Sequence, residues 1–509
     1  MISKRIHIFL FGALLLSSSL LIAQQQNLPL NREFGLVNQK AFNNFGNNTH
    51  TSSLPIIQSF IQTDSVSGLN KVEQDAYLIN ISKSNQKSKN FFKWLYQSAF
   101  FENFAVVDTG NFYLTIDPLL NGEFGKDSEF ATDELLYKNT RGLIVRANVG
   151  EKFSFQTSFY ENQATYVPYI TDFINDREVA PGQGRVKRFK DNGFDFASAS
   201  ANVSYTPSDF LNIQLGTGKN FIGEGYRSLL LSDQSYNYPF FKFTTQFGKK
   251  DQFQYIQINA QLTDLIRREA GSTGETLFQR KAMTTHYFSW NATKWLNLGF
   301  FENTIWQTED SSGTKPFQWQ QLNPVFGVNA LTTTTDNNNS NLGLNIKIKL
   351  PFKLIAYNQV VYNTQKNSNT NGYQVGLKYF GLRYFTFQAE YNAMSKTTAS
   401  ANINLQNQGH YNEWLAHPFG NDFKEIVGIM NFKYKRVFTQ VKVNYATINT
   451  NTDITTIQAH LGFLINPKNN LSAVVGLAKR DKTVANVTHL TNYVYFGIRT
   501  SLRNLYDDF

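Results

Sequence analysis

The sequence predicts an all-β protein, a transmembrane antiparallel up-and-down β-barrel of about 18 strands with a small N-terminal periplasmic segment. Three observations carry that expectation. From about Asn111 onward, apolar and polar residues alternate in short segments, the period-2 signature of a strand with two different faces. The connections between segments sort by length according to their parity. Aromatic residues make up 15% and charged residues only 17% of the 509 residues, against about 25% charged in a soluble domain. Mean hydropathy is nevertheless negative, as suits a wall that meets lipid on one face and water on the other.

Residues 1–23 read as a secretory signal peptide. Lys4 and Arg5 begin it, Ile6 to Ile22 form an apolar run, and Ala23 precedes Gln24, in the order such segments require. The run is short for the about 20 residues of a spanning helix. Removing Lys4 and Arg5 lowers the formal charge from +10 to +8. With no cysteine in the chain, a disulfide framework, a lipid-bearing cysteine and a Cys-ligated metal are excluded.

Residues 24–110 are rich in Gln, Asn and Ser and are assigned to the periplasm. Phe91, Trp94, Leu95 and Phe101 recur at near-helical spacing, predicting one amphipathic helix under the barrel or in its mouth. The stretch Asn43 to Ser53 reads as partly disordered.

The barrel is assigned to residues 111–509. In Tyr255 to Leu262, Ile256, Ile258, Ala260 and Leu262 alternate with Tyr255, Gln257, Asn259 and Gln261. Similar alternation places Lys347 and Lys349 opposite Leu344, Ile346 and Ile348, and Lys442 opposite Val441 and Val443. After even-numbered segments the link is tight, as in Thr206–Asp209 or Leu350–Phe352; after odd-numbered ones it is usually long and polar, as in 161–194, 219–238, 306–340 and 394–424. Tight periplasmic turns and longer extracellular loops are the habit of outer-membrane barrels. The last segment alternates Tyr493, Tyr495 and Arg499 with Val494, Phe496 and Ile498. The closing Phe509 loosely resembles the signal read by barrel-assembly machinery.

Catalytic and cofactor motifs are weak. Gly216-Thr217-Gly218-Lys219 lacks the glycine and hydroxyl positions of a phosphate loop. No histidine lies in an HExxH pattern, so no enzyme, cofactor or metal is expected, and a nucleic-acid partner does not suit the cell envelope. With the apolar face of each strand taken as lipid-facing, the inward residues include Arg146, Lys242, Lys347, Lys349, Lys378, Lys433, Lys442 and Arg499, with Glu390 the clearest acid. A cationic lumen would concentrate acidic ligands such as uronate-bearing polysaccharide.

Between the fifth and sixth strands lies NFIGEGYRSLLLSDQSYNYPFF, residues 220–241. It is expected in an extracellular loop or folded into the barrel mouth. Gly223 and Gly225 shape a turn, Tyr226 and Arg227 offer an aromatic face and a donor fork, and Leu229 to Leu231 anchor the loop. Tyr236, Tyr238, Phe240 and Phe241 are expected at the lipid interface.

FIGEGYRSLLLSD followed by YNYPFFKF, together with WQQLNPVFGVNA, YNEWLAHPFGNDFKE and the final GIRTSLRNLYDDF, resembles the Wzi-like capsule assembly family of outer-membrane proteins, whose Bacteroidetes branch includes the gliding motility protein RemB. The resemblance covers most of residues 90–509. It implies an eighteen-stranded barrel closed by inward loops, a periplasmic helical part, and a surface lectin that retains or organises capsular polysaccharide. The strand count above does not depend on it. Tyr226, Arg227 and Asp233 of the first stretch, and Trp414 and His417 of the third, are the expected ligand contacts. The expected function is non-enzymatic attachment or assembly of surface polysaccharide in the outer membrane, extending to gliding motility. A sugar or anion pore, or a structural partner of a secretion or motility complex, are the alternatives.

Overall fold

A chain of short alternating strands can satisfy its backbone in lipid only if every strand edge is paired, and closing the sheet into a ring does this. The computed structural model describes residues 26–45, 47–61, 90–129, 135–267, 278–310, 313–332, 338–364, 370–401 and 403–509. The expected signal peptide lies outside them. Eighteen strands form the wall: β1 Phe112–Asp127, β2 Leu136–Val149, β3 Phe153–Ala164, β4 Gly193–Ser208, β5 Leu211–Gly218, β6 Tyr238–Phe247, β7 Phe253–Arg267, β8 Phe278–Asn291, β9 Leu296–Gln307, β10 Asn338–Leu350, β11 Leu354–Asn363, β12 Asn371–Tyr379, β13 Phe385–Met394, β14 Phe423–Tyr434, β15 Val437–Ile448, β16 Thr452–Asn466, β17 Leu471–Val484 and β18 Val487–Thr500. Each pairs antiparallel with the next, and β18 closes on β1 with Val494 opposite Lys126 and Arg499 opposite Asn121. Each of the eighteen alternating segments forms a wall strand. No helix among the described residues is long and apolar enough to cross a membrane.

The parity of the connections holds with two exceptions at the long-loop end. β17 and β18 are joined through Ala485 and Asn486, both at positive φ, the backbone of a two-residue hairpin turn. β15 and β16 are joined almost as tightly, through Asn449 and Thr450 at positive φ.

The alternation was expected to put the apolar face toward lipid on every strand, and on β7 it does the reverse. Lys242 of β6, buried in the lumen, lies directly opposite Ile258, and directly paired residues share a face. Ile256, Ile258, Ala260 and Leu262 therefore point inward, where they pack on Leu229, Leu230 and Leu231. Tyr238 and Phe240 also point inward, whereas Phe241 is exposed on the outside. The physical reason is that this lumen has an apolar filling of its own, so hydrophobicity does not mark the lipid side.

Five segments supply the filling. The N-terminal segment, with helix α1 (Arg32–Phe42) and residues 47–61, occupies one end. The β3–β4 loop contributes a helix, Pro168–Arg177, and the β5–β6 and β13–β14 loops meet where the Ser232 N–H donates to the Leu415 carbonyl at 2.7 Å. The last segment is the tail Ser501–Phe509. Of the 43–53 stretch, expected to be partly disordered, the described residues 47–53 are instead held inside the ring: His50 Nδ1 lies 2.8 Å from Ser289 Oγ, and Tyr287 Oη donates to Ser52 Oγ at 2.8 Å.

The expected amphipathic helix exists as Phe91–Phe100, capped by Asn90. It sits at the rim of short turns, where Asn466 Nδ2 donates to the Ser98 and Glu102 carbonyls. The chain then adds the strand Ala105–Asp108 to the edge of β1, with Ala105 opposite Ile116. That edge is where β18 would otherwise continue. Displaced from it, the chain turns inward after Thr500, and Leu502 packs on Leu119, Ile144 and Tyr160. The closing residues Ser501–Phe509 thus lie beyond the last wall strand and are part of the plug.

Candidate functional site inside the barrel

The Gly-Glu-Gly-Tyr-Arg turn enters the lumen rather than rising from it. Gly223 has φ +151°, a backbone that side chains rarely adopt, and a Cβ there would come within 2.4 Å of Gln359 Nε2. A Cβ on Gly225 would lie 2.4 Å from Glu390 Oε2 and 2.5 Å from the Arg227 carbonyl oxygen. Both glycines are required because the turn presses against the wall. Glu390 in turn accepts the backbone N–H groups of Tyr226 and Arg227 at 2.8 and 3.1 Å.

Arg227 is only 1% exposed. Its guanidinium pairs with Glu425 at 3.1 Å and with Asp508 of the tail at 3.2 Å. Asp508 also takes Lys442 at 2.8 Å and the Tyr226 hydroxyl at 2.9 Å. Burial pushes the Asp508 carboxyl up, but Arg227 and Lys442 overcome it and hold the group well below the usual carboxylate range. His417 Nε2 lies 2.8 Å from Glu425. Asp233 accepts from Tyr506 Oη at 2.6 Å and from Asn504 Nδ2 at 2.7 Å. The structure brings Tyr226, Arg227, Asp233 and His417 into this buried scaffold. Only Trp414 of the five expected ligand contacts is partly exposed, beside Glu413 and Phe509.

The expected lumen cations do point inward, yet they form no free cationic field. Lys347 pairs with Glu224 at 3.1 Å and Arg499 with Glu33 at 3.2 Å. Lys349 donates to the carbonyls of Phe42, Asn44 and Asn47, Lys378 to Gln39, and Lys242 to Asn220. Arg146 faces Asp117 at 3.9 Å. The countercharges come largely from the N-terminal segment, the plug loop and the tail, which strand periodicity cannot place.

A cavity of about 230 Å³ lies between α1, the Pro168–Arg177 helix, the tail and the inner faces of β1, β2 and β14–β18. Tyr160, Tyr166, Tyr169, Tyr226, Tyr493 and Tyr495 line it, with Arg480, Arg499 and Arg503 facing Glu33, Glu123 and Asp507. Tyr226, Lys378, Lys442 and Arg499 of the expected residues reach it; Arg227, Asp233, His417, Lys242, Lys347 and Lys349 do not. It is smaller than the about 300–1,000 Å³ of a drug-sized ligand site. Alternation had shown Tyr493, Tyr495 and Arg499 on one face. The tail carrying Arg503 and Asp507 left no such signal.

Outside the plug, a basic stretch faces solvent at the long-loop end. Lys187, Arg188 and Lys190 are exposed at the start of β4, and the strand Lys187–Phe189 pairs with Gly193–Asp195. Sequence reading passed over it, although Arg185, Lys187, Arg188 and Lys190 fall within six residues. Among the described residues no group of three His, Asp or Glu side chains could hold a metal ion.

No family model matches the chain, and no curated protein sequence matches it. Solved structures do. Wzi of Escherichia coli, described as an outer membrane protein involved in group 1 capsule assembly and as a carbohydrate-binding β-barrel, superposes with a TM-score of 0.57 at 13% identity, over 94% of this chain and 99% of its own. OpdQ of Pseudomonas aeruginosa gives 0.45 at 12% identity over 77% of this chain and 98% of its own, and OccAB4 of Acinetobacter baumannii gives 0.45 at 10% over the same shares. The chain is an eighteen-stranded β-barrel of the outer membrane. Its fold is similar to that of Wzi along nearly the whole length of both chains.

Proposed function

We propose that the protein binds surface or capsular polysaccharide and helps to attach or assemble it at the cell surface, without catalysis. The observation that carries this reading is the filled lumen. A ring of this size leaves an aqueous channel when empty, and here five segments of the same chain occupy it, with their charges paired internally. Fold similarity to a carbohydrate-binding barrel supports the same direction. Polymer contact is assigned to the extracellular rim, where Lys187, Arg188 and Lys190 flank Phe189 and suit an acidic polysaccharide, and where Trp414 is partly open. Kinship with the branch that includes RemB, a part in gliding motility and contact with secretion machinery rest on the sequence stretches quoted above.

The test is binding of the detergent-purified protein to the producing organism's own surface polysaccharide and to a neutral glucan, at low and high salt. Salt-sensitive binding to the native polymer, lost in Lys187→Glu/Arg188→Glu, is expected. Absence of binding at both salts, with ion conductance in a planar bilayer, would replace this reading by a sugar or anion pore.

A further inference from the structure

From Pro316 to Thr335 the chain carries no ionisable side chain, although Lys315 and Asp336 bracket the run and it lies in a long extracellular connection. The described part, to Thr332, neither rises into solvent nor enters the lumen. It folds down the outside of the wall. The register shows this: Gln257 is opposite Phe243 and His286, His286 is opposite Glu302, and Glu302 is opposite Leu342. Their strand neighbours Ile258, Thr285 and Asn303 belong to the inner face, where Asn303 donates to Gln408 of a plug loop.

These outward polar groups hold the segment. Gln257 Nε2 donates to the Asn323 carbonyl at 3.2 Å, Tyr255 Oη to the Pro324 carbonyl at 2.5 Å, and Thr284 Oγ1 to the Gln321 carbonyl at 2.9 Å. Glu302 accepts the Gly327 and Ala330 N–H groups at 2.7 and 2.6 Å. Within the segment, the N–H groups of Gln321, Leu331 and Thr332 donate to the carbonyls of Gln318, Gly327 and Val328. The backbone groups named are thus turned to the barrel or to the segment itself, as a hydrocarbon environment demands.

Its large apolar side chains do the opposite, with Gln320 and Thr332 the exposed polar ones. Phe317, Trp319, Leu322, Val325, Phe326 and Leu331 are exposed, Trp319 by 77% and Leu331 by 87%. An uncovered apolar patch of this kind marks a contact surface. It continues the outer wall face of Phe288, Phe300 and Leu344, which are paired across β8, β9 and β10. Beneath it, His286 and Glu302 are fully buried; facing acyl chains instead, they would carry the full desolvation cost of polar groups in hydrocarbon.

We propose that residues 316–332 form a membrane-immersed strap, whose outward apolar side chains lie among lipid acyl chains and whose backbone seals the polar groove of Gln257, Thr284, His286 and Glu302. The absence of charge in the run and its continuity with the lipid-facing wall select lipid as the occupant. The absence of native cysteine makes the test clean. Nitroxide labels are placed singly at Leu322→Cys and Phe326→Cys in the full chain, folded into phosphatidylethanolamine and phosphatidylglycerol vesicles. Leu461→Cys on the outer face of β16 and Asn449→Cys in an extracellular turn serve as controls, and heat-modifiable gel migration confirms folding. The expected result is an oxygen-to-nickel-chelate accessibility ratio at both strap sites matching Leu461→Cys and several-fold above Asn449→Cys. A ratio as low as at Asn449→Cys would place the strap in water, and shielding from both reagents would place it against another protein; either overturns the proposal. If one variant does not fold, Val325→Cys takes its place.

Discussion

Arg227 shows how a residue type misleads about exposure. An arginine beside a tyrosine in a glycine-bounded loop suits ligand recognition, but here the two carboxylates that it meets, Glu425 and Asp508, are both fully buried. Removing one member of a buried ion-pair network leaves uncompensated charge, at a cost of about 3–5 kcal/mol. Arg227→Ala is therefore expected to lower barrel stability by that order, measured by urea unfolding in lipid vesicles. A loss no larger than the about 1 kcal/mol of an exposed pair would show that this network does not hold the plug. Glu413 gives a pH signature at the same scale. Burial pushes its carboxyl up to about 7 from an ordinary 4.5, although the Gly182 N–H, Lys219 and Arg177 pull it down. The folded state thus binds this proton more tightly than the unfolded one. Its stabilising contribution is complete below about pH 4.5 and lost as pH rises through about 7. Protection from hydrogen exchange over 180–185 and 409–414, taken relative to the intrinsic amide rate at each pH, is expected to fall between pH 5 and pH 8, and Glu413→Gln to flatten the change; equal pH dependence in both proteins would count against it.

The elements were set by different kinds of information. Strands β1 to β18 follow from period-2 alternation because a pleated strand must present two faces, whatever surrounds it. The plug segments lack such a period. Leu229 to Leu231 pack against β7 and β9 residues without any repeat announcing it, and the 47–61 stretch is too polar to read as ordered until its partners Ser289, Tyr287 and Glu224 are in place. Closure can be tested at this level. Gly225→Val forces a side chain into the space held by Glu390 and the Arg227 carbonyl. The parent protein is expected to pass little current in a planar bilayer and Gly225→Val to show discrete channels. Equal conductance in the two would mean that the turn is not the barrier.

In the whole molecule, alternation and loop parity determined the ring: its strand number, its antiparallel order and its two unlike ends. Those features are local, repeated many times, and reinforced by the requirement that lipid-embedded backbone be paired. Only the tertiary structure decided which face of β7 meets lipid, since the apolar plug inverts the rule that hydrophobic means outside. It alone brought Asp508 beside Arg227 and Lys442, residues far apart in the chain whose pairing depends on the tail after β18 turning inward where the Ala105–Asp108 strand occupies the edge of β1. It also laid the uncharged 316–332 run on the outer wall. Periodicity records what each strand needs from its two sides. Which segment comes to occupy a side is a long-range contact, and no local pattern encodes it.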